Sequence, residues 1–193
     1  GKRANLNAGV STFVPKPHTP FQWVPCDTTE QIQAKQQLLR NELRGPGLKM
    51  TWTSPAETML EAWLSRGDRR LGQVIELAWR NGARFDAWQD QFNPHAWQTA
   101  FEQTGLDPDF YTHRMRDEDE IFPWDIISPG VRKSYLLEEY HNSQCQQTRP
   151  DCREQCFACG ILPTFSSLRR ANPGPLWKCP EVGTPRATTE VQP

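Results

Sequence analysis

The chain lacks any long hydrophobic run. No stretch approaches the roughly 20 apolar residues of a membrane helix. Only 36% of its 193 residues are hydrophobic, and the mean hydropathy is -0.74. A membrane-spanning protein is not expected. It also lacks a surplus of either charge, with 22 Lys and Arg against 23 Asp and Glu. That balance argues against a DNA-coating protein and against a polyanionic tail. A basic segment followed by an apolar one is missing from the start, which is Gly1 and not Met. No secretory signal is expected, and an internal start, hence a fragment of a longer protein, is the simplest expectation.

What is present points to a folded chain. Eight Trp, nine Phe and three Tyr are more aromatics than a disordered sequence carries. The 17 Pro gather towards the two ends, which should be the less regular parts. Of six cysteines, Cys26 stands alone, Cys145, Cys152, Cys156 and Cys159 crowd together, and Cys179 follows. A secreted disulfide framework would be shorter, denser in Cys and preceded by an export signal. Clustered cysteines without one more often bind metal, so a reducing, cytoplasmic compartment is expected.

Residues 6–14 favour a strand by their apolar and β-branched content. Pro15, Pro17 and Pro20 then forbid regular structure. Thr28 and Gln31 have capping-box spacing, which predicts a helix with Ile32, Leu39 and Leu43 on one face. Gly45-Pro46-Gly47 ends it, and Leu48 to Thr53 reads as a second strand. This is one strand–loop–helix–strand unit of a parallel α/β sheet. After Ser54-Pro55 the pattern turns helical, with Ser54 as a cap and Met59, Leu60, Trp63 and Leu64 pairing along the helix. Asp68 is read as the N-cap of a helix whose face is Leu71, Val74, Ile75, Ala78 and Trp79. Trp88, Phe92, Trp97 and Phe101 suggest a further helical stretch ending at Gly105, with Asn93-Pro94 as a cap. Residues 114–120 read as a charge-dense, mobile connector. A last helix is expected from Val131 to His141, with Val131, Tyr135 and Leu136 or Leu137 inward, and residues 181–193 as an unfolded tail. No internal repeat is evident.

The most informative local motif is Cys152-Arg153-Glu154-Gln155-Cys156-Phe157-Ala158-Cys159. A short loop brings three thiolates to one metal at little entropic cost, and Gly160 lets the backbone turn close by. The fourth ligand could be Cys145, Cys179 or His141. Tetrahedral zinc and an iron–sulfur cluster both suit thiolate ligation. The plainer reading is loose reduced thiols on a surface loop.

The C-x3-C-x2-C spacing is also that of the radical S-adenosylmethionine (SAM) enzymes, where three cysteines hold a [4Fe-4S] cluster. There the triad precedes most of a barrel, whereas only 34 residues (193 − 159) follow Cys159, against roughly 200 for a barrel. The position before the third cysteine is Ala158 where that family prefers an aromatic. This triad is therefore not expected to be the SAM cluster. The string from Phe13 to Trp23, with Pro15, Pro17, His18 and Thr19, nonetheless resembles the late barrel strand and loop of radical SAM enzymes related to methylthiotransferases. It is more narrowly similar to radical SAM proteins that carry an N-terminal cobalamin (B12)-binding domain. So are the stretches Leu60 to Leu71, Ala78 to Trp88, Pro123 to Ile127 and Asp151-Cys152-Arg153. The resemblance spans about residues 6–160.

The resemblance implies α/β structure moving to mainly α. Residues 1–53 would end an incomplete TIM-like barrel, 54–143 a Trp-rich helical cap, and 144–180 a metal- or cluster-binding segment. Phe13, Pro15, Pro17, His18 and Thr19 would line the SAM side. Cys145, Cys152, Cys156 and Cys159 would hold zinc or an auxiliary iron–sulfur cluster. The SAM cluster triad and the cobalamin-binding domain would be partners upstream in the same polypeptide. Where that family often has a further cysteine after Cys-Gly, this chain has Ile161 and Leu162, which brings Cys179 into consideration beside Cys145. The alternative is a non-catalytic helical module with a structural zinc knuckle that binds a protein or RNA partner.

Other features read more plainly. Arg66-Gly67-Asp68 is the integrin tripeptide but suits a helix break and cap. Arg69 and Arg70, placed in a helix's first turn against its dipole, are candidates to hold a carboxylate or phosphate. The 117–120 acidic run is expected to be a solvated face. The Trp residues suit a core or seal more than base stacking, since no basic stripe interleaves them.

Overall fold

The computed structural model describes residues 4–174 and Cys179. The expected tail at 181–193 lies outside them. The chain forms two compact units, Gly1–Asp125 and Ile126–Pro193. The strand pair thus belongs with the middle helices, and the last long helix with the cysteine segment.

In the first unit, β1 (Leu6–Val10) and β2 (Leu48–Trp52) pair in parallel, Leu6 opposite Leu48 and Val10 opposite Trp52. They are joined by α1 (Thr29–Glu42), whose Thr28 and Gln31 form the expected reciprocal capping box. Only Ile32 and Gln36 of α1 are buried, and the Gln36 amide donates to Thr53 O at 2.9 Å. Gly47 turns the chain into β2 at φ 82°, and a Cβ there would stand 2.8 Å from the carbonyl oxygen of Ala4. The first strand is shorter than its composition suggests. Beyond Val10 the backbone carbonyls face other partners, Pro15 O accepting from Arg66 at 3.0 Å. No residue of either strand is buried.

Four helices follow: α2 (Pro55–Arg66), α3 (Leu71–Arg80), α4 (Pro94–Thr104) and α5 (Pro108–Thr112). Their core joins Leu60, Leu71, Val74, Ala78, Ala96, Trp97, Ala100, Phe101 and Tyr111. A smaller cluster joins Val14, Cys26, Ile32, Met59 and Ala62, and Trp63 packs against both. Its ring meets Phe101 edge-on at 5.0 Å. Burying side chains of this size contributes about 1.5–3 kcal/mol each.

Four local expectations are corrected. Ile75 and Trp79 lie on the exposed border of the α3 stripe, and Trp79 instead carries the Arg84 guanidinium 4.8 Å above its ring. Trp88 is in a turn and not a helix, because Phe85 takes a left-handed φ of 55° and α4 starts only at Pro94. Asn93 does cap α4, accepting from Ala96 N at 3.2 Å, and Gly105 ends it at φ 65°. Asp68 caps a turn ahead of α3, accepting from Arg70 N at 2.9 Å. Arg69 and Arg70 therefore precede the helix, and Arg70 is already forked onto Asp68. Residues 114–120, read as a mobile connector, carry ion pairs at both ends, with Asp117, Glu118 and Asp119 exposed. Arg114 grips Glu120 through two bonds of 2.7 and 2.6 Å, and Arg116 is buried.

The second unit contains α6 (Lys133–Gln144), α7 (Ile161–Thr164) and α8 (Ser166–Ala171). Leu136 and Tyr140 are the buried residues of α6. The short helices α7 and α8 follow the cysteine loop and carry no periodic signal long enough to read in sequence.

Candidate functional site

Each unit carries one candidate loop. In the first, the proline loop after β1 is folded by its own side chains. Thr19 Oγ1 donates to Lys16 O at 2.7 Å, and Gln22 N donates to Thr19 O at 3.1 Å. The carboxamide oxygen of Gln22, buried, accepts from His18 N at 3.1 Å and from Trp124 Nε1 at 2.8 Å. His18 sits in the left-handed region at φ 57°, an uncommon conformation that surrounding contacts must hold. Its Nε2 is buried without a hydrogen-bond partner. Phe13 and Phe21 stack edge to face at 5.6 Å and are both exposed. Pro15, one of the residues expected at a cofactor, is fully buried and serves to position the loop.

The anchor of this loop is Arg66, the arginine of the integrin-like tripeptide. It has no solvent exposure, which removes it from any adhesive role. Its guanidinium donates to Tyr111 O at 3.2 Å, Pro15 O at 3.0 Å and Val24 O at 3.0 Å. Among the described residues no carboxylate pairs with it. Burial, then the charge of Arg116, pushes its pKa down to about 10, so it stays charged at neutral pH. Arg116 continues the network, donating to Arg66 O at 3.1 Å and Tyr111 O at 3.3 Å, with its cation 5.1 Å from the Trp124 ring centre. Cys26 is buried nearby and its thiol is pushed up, first by burial. It is an inert core residue.

A groove of about 550 Å³ opens elsewhere on this unit, lined by Met59, Trp63, Phe92, Phe101, Leu106 and their neighbours. None of the residues expected at a cofactor lines it.

In the second unit the cysteine loop is tied at both ends. Arg149 pairs with Glu138 and, at 2.6 Å, with Glu139 of α6. Its guanidinium lies 5.4 Å from the Tyr135 ring centre and 4.8 Å from that of Phe157. At the far end Arg132 N donates to Cys159 O at 2.8 Å, and the Arg132 side chain reaches Ala158 O. Gly160 needs its missing side chain. Its φ is 113°, and a Cβ would meet Arg132 Cγ at 2.7 Å. Within the loop Ala158, at φ 53°, donates its N–H to Cys156 Sγ at 3.4 Å.

All six cysteines are free. Cys152 and Cys179 are exposed, and Cys156 and Cys159 are half-buried. Burial, then the charges of Cys156, Cys159 and Cys152, push the Cys179 thiol up. Cys145 caps α6, exposed, its N–H bonded to His141 O at 3.2 Å and Asn142 O at 3.1 Å. No described interaction joins its thiol to the others. Among the described residues no three His, Cys, Asp or Glu donors stand in a finished metal-binding arrangement.

Sequence reasoning missed Arg66, Arg116, Gln22 and Arg149. Their partners lie between 4 and 102 positions away, and the distant ones give no local spacing signal. Comparison with protein-family models, curated proteins and solved structures finds no match. Among the described residues no helix is long and apolar enough to cross a membrane.

Proposed function

We propose that this chain is the C-terminal part of a radical SAM enzyme of the type that carries a cobalamin-binding domain. One observation carries the reading. A parallel β–α–β unit stands with no residue of either strand fully buried, although parallel sheets are stable only when both faces are buried and more strands are present. Leu6, Leu48 and Trp52 are exposed on it. Further strands of a barrel, supplied from upstream, would cover them. The proline loop leaves β1 already shaped, with an exposed aromatic pair able to contact a cofactor. The helices α2 to α5 would cap the barrel and keep water out, as radical chemistry requires. SAM, when bound to an upstream cluster, would supply the radical; this chain's residues would shape and seal that chamber.

The donor set of the cysteine loop suits a thiophilic metal or an auxiliary cluster. Three thiols lie within eight residues, one of them accepting an N–H bond, on a turn that demands Gly160. The compartment would be reducing.

The test is anaerobic SAM turnover. A polypeptide extended upstream should release 5′-deoxyadenosine under reductant, and residues 1–193 alone should not. Release by the isolated chain, or an upstream sequence without a C-x3-C-x2-C motif, would overturn the reading. A zinc-knuckle interaction module is the second reading, favoured by the cysteine loop's lying in a compact unit of its own. A colourless protein with one zinc, and no SAM cleavage by the extended polypeptide, would select it.

A further inference from the structure

We infer that the groove of the first unit binds a small aryl-alkyl amine, its aromatic body packed among the groove's rings and its ammonium facing Glu102 at the rim. The site stands apart from the radical SAM reading, since none of the residues expected at a cofactor lines it. Two helices form its walls. Ala56, Met59 and Trp63 follow one another at helical spacing along α2, and Gln98, Phe101 and Glu102 do so along α4, so each helix turns one face to the groove. Trp63 and Phe101 meet edge-on at 5.0 Å, with 65° between their planes. Rings set at such an angle make a corner against which a further ring can pack. Phe92 lines the same space, and its volume of about 550 Å³ lies within the range of roughly 300–1,000 Å³ common to small-ligand pockets.

Charge selects the class of ligand. Glu102 is the one ionisable residue among those lining the groove. It is exposed and so stands at the rim, whereas Phe101 beside it is buried. Its described partner is Gln98 Nε2, which donates to Oε1 at 3.2 Å. Among the described residues no cation neutralises it. Gly105, which ends α4, also lines the groove, so the negative pole of that helix lies on the same side. Thr29 brings the start of α1 to the groove, but the positive pole there is already met by the Thr28–Gln31 capping box and by Glu30. Ring faces carry negative potential as well. An anion would be repelled by Glu102, and an uncharged ligand would leave the carboxylate unused. A cation on an apolar body uses both halves of the site.

The experiment measures binding of phenylbutylamine, phenylbutanol and phenylpentanoate to the full chain by calorimetry at low salt. The three probes share a phenyl group and an alkyl arm and differ in the charge of the head. The amine should bind about three- to tenfold more tightly than the alcohol, the effect of an exposed ion pair reinforced by aromatic faces, and the acid should bind most weakly. Glu102→Gln keeps an acceptor for Gln98 and should bring the amine down to the level of the alcohol, with the alcohol unchanged. Glu102 is exposed, so this variant spares the fold. Ala56→Trp should fill the groove and abolish binding of amine and alcohol alike, with circular dichroism confirming that the helices remain. Absence of amine binding at millimolar concentration overturns the inference. So does equal affinity for the amine in the parent and Glu102→Gln, or binding that survives in folded Ala56→Trp.

Discussion

Arg66 holds the proline loop through three main-chain carbonyls and no carboxylate. Arg149 holds the start of the cysteine loop through two carboxylates and two aromatic rings. The first arginine is wholly buried, while 18% of the second side chain is exposed, and Glu138 is 62% exposed. Carbonyl dipoles cannot be titrated and are little screened when buried. Surface carboxylates can be protonated and are screened by salt. The proline loop is built as a fixed wall, whereas the cysteine loop is held through contacts that salt and acid can weaken.

The sharpest way to break this comparison is Arg66→Met. It removes three charge-assisted bonds and leaves Pro15, Val24 and Tyr111 carbonyls without them. Each buried polar group left unsatisfied costs about 1–3 kcal/mol, partly offset because the guanidinium's own desolvation is no longer needed. A net loss of about 3–5 kcal/mol is expected, read by urea unfolding with the fluorescence of buried Trp23 and Trp97. Arg66→Lys should recover only part of it, since an ammonium lacks the planar fork. A loss under 1 kcal/mol would show that the proline loop is not held from this centre.

A smaller effect separates the two regions by pH. Glu120 sits in the first unit between Arg114 and Arg116, and the Arg114 bonds chiefly hold its pKa below the usual carboxylate value. A depressed folded pKa means that its stabilisation is present above the unfolded value of about 4.3. It is lost as pH falls through the lower folded value. Glu120→Gln should cost about 1 kcal/mol at pH 7 and close to nothing at pH 2–3. The Arg66 contacts should keep their value over the same range. Acid unfolding of the parent and variant, followed by circular dichroism, reads the difference; parallel curves at all pH values would refute it.

Much of the local architecture was legible in the sequence. Thr28 with Gln31, Asn93 with Pro94, and the stripe Leu71, Val74, Ala78 each state their structure within a few residues. The two anchoring arginines were not legible. Arg66 read correctly as a helix end, but not as an anchor, because its acceptors, at positions 15, 24 and 111, become neighbours only on folding. Residues 114–120 looked mobile because a dense run of charge ordinarily stays in water, and nothing local shows that Arg116 is drawn under Phe122 and Trp124. The cysteine loop was legible as a cluster of thiols by composition alone.

The finest test is Arg149→Met under added salt. Its pair with Glu138 is largely solvated, and exposed ion pairs contribute about 0–1 kcal/mol. The pair with Glu139 is more enclosed, with Glu139 23% exposed, and the stacked rings add about 0.5–1 kcal/mol. Methionine retains some of the ring contact but none of the charge. The variant should therefore lose about 1 kcal/mol locally, seen as faster amide exchange over 145–157 and at the end of α6. In 1 M salt, where the screening length is about 3 Å, the gap between parent and variant should shrink by about half. The Arg66→Met loss should hardly change, because no mobile ion reaches a buried arginine facing carbonyls. Equal salt sensitivity in the two variants would mean that both loops are held by the same physics, and the distinction between a fixed wall and a screened, loosely held loop would fall.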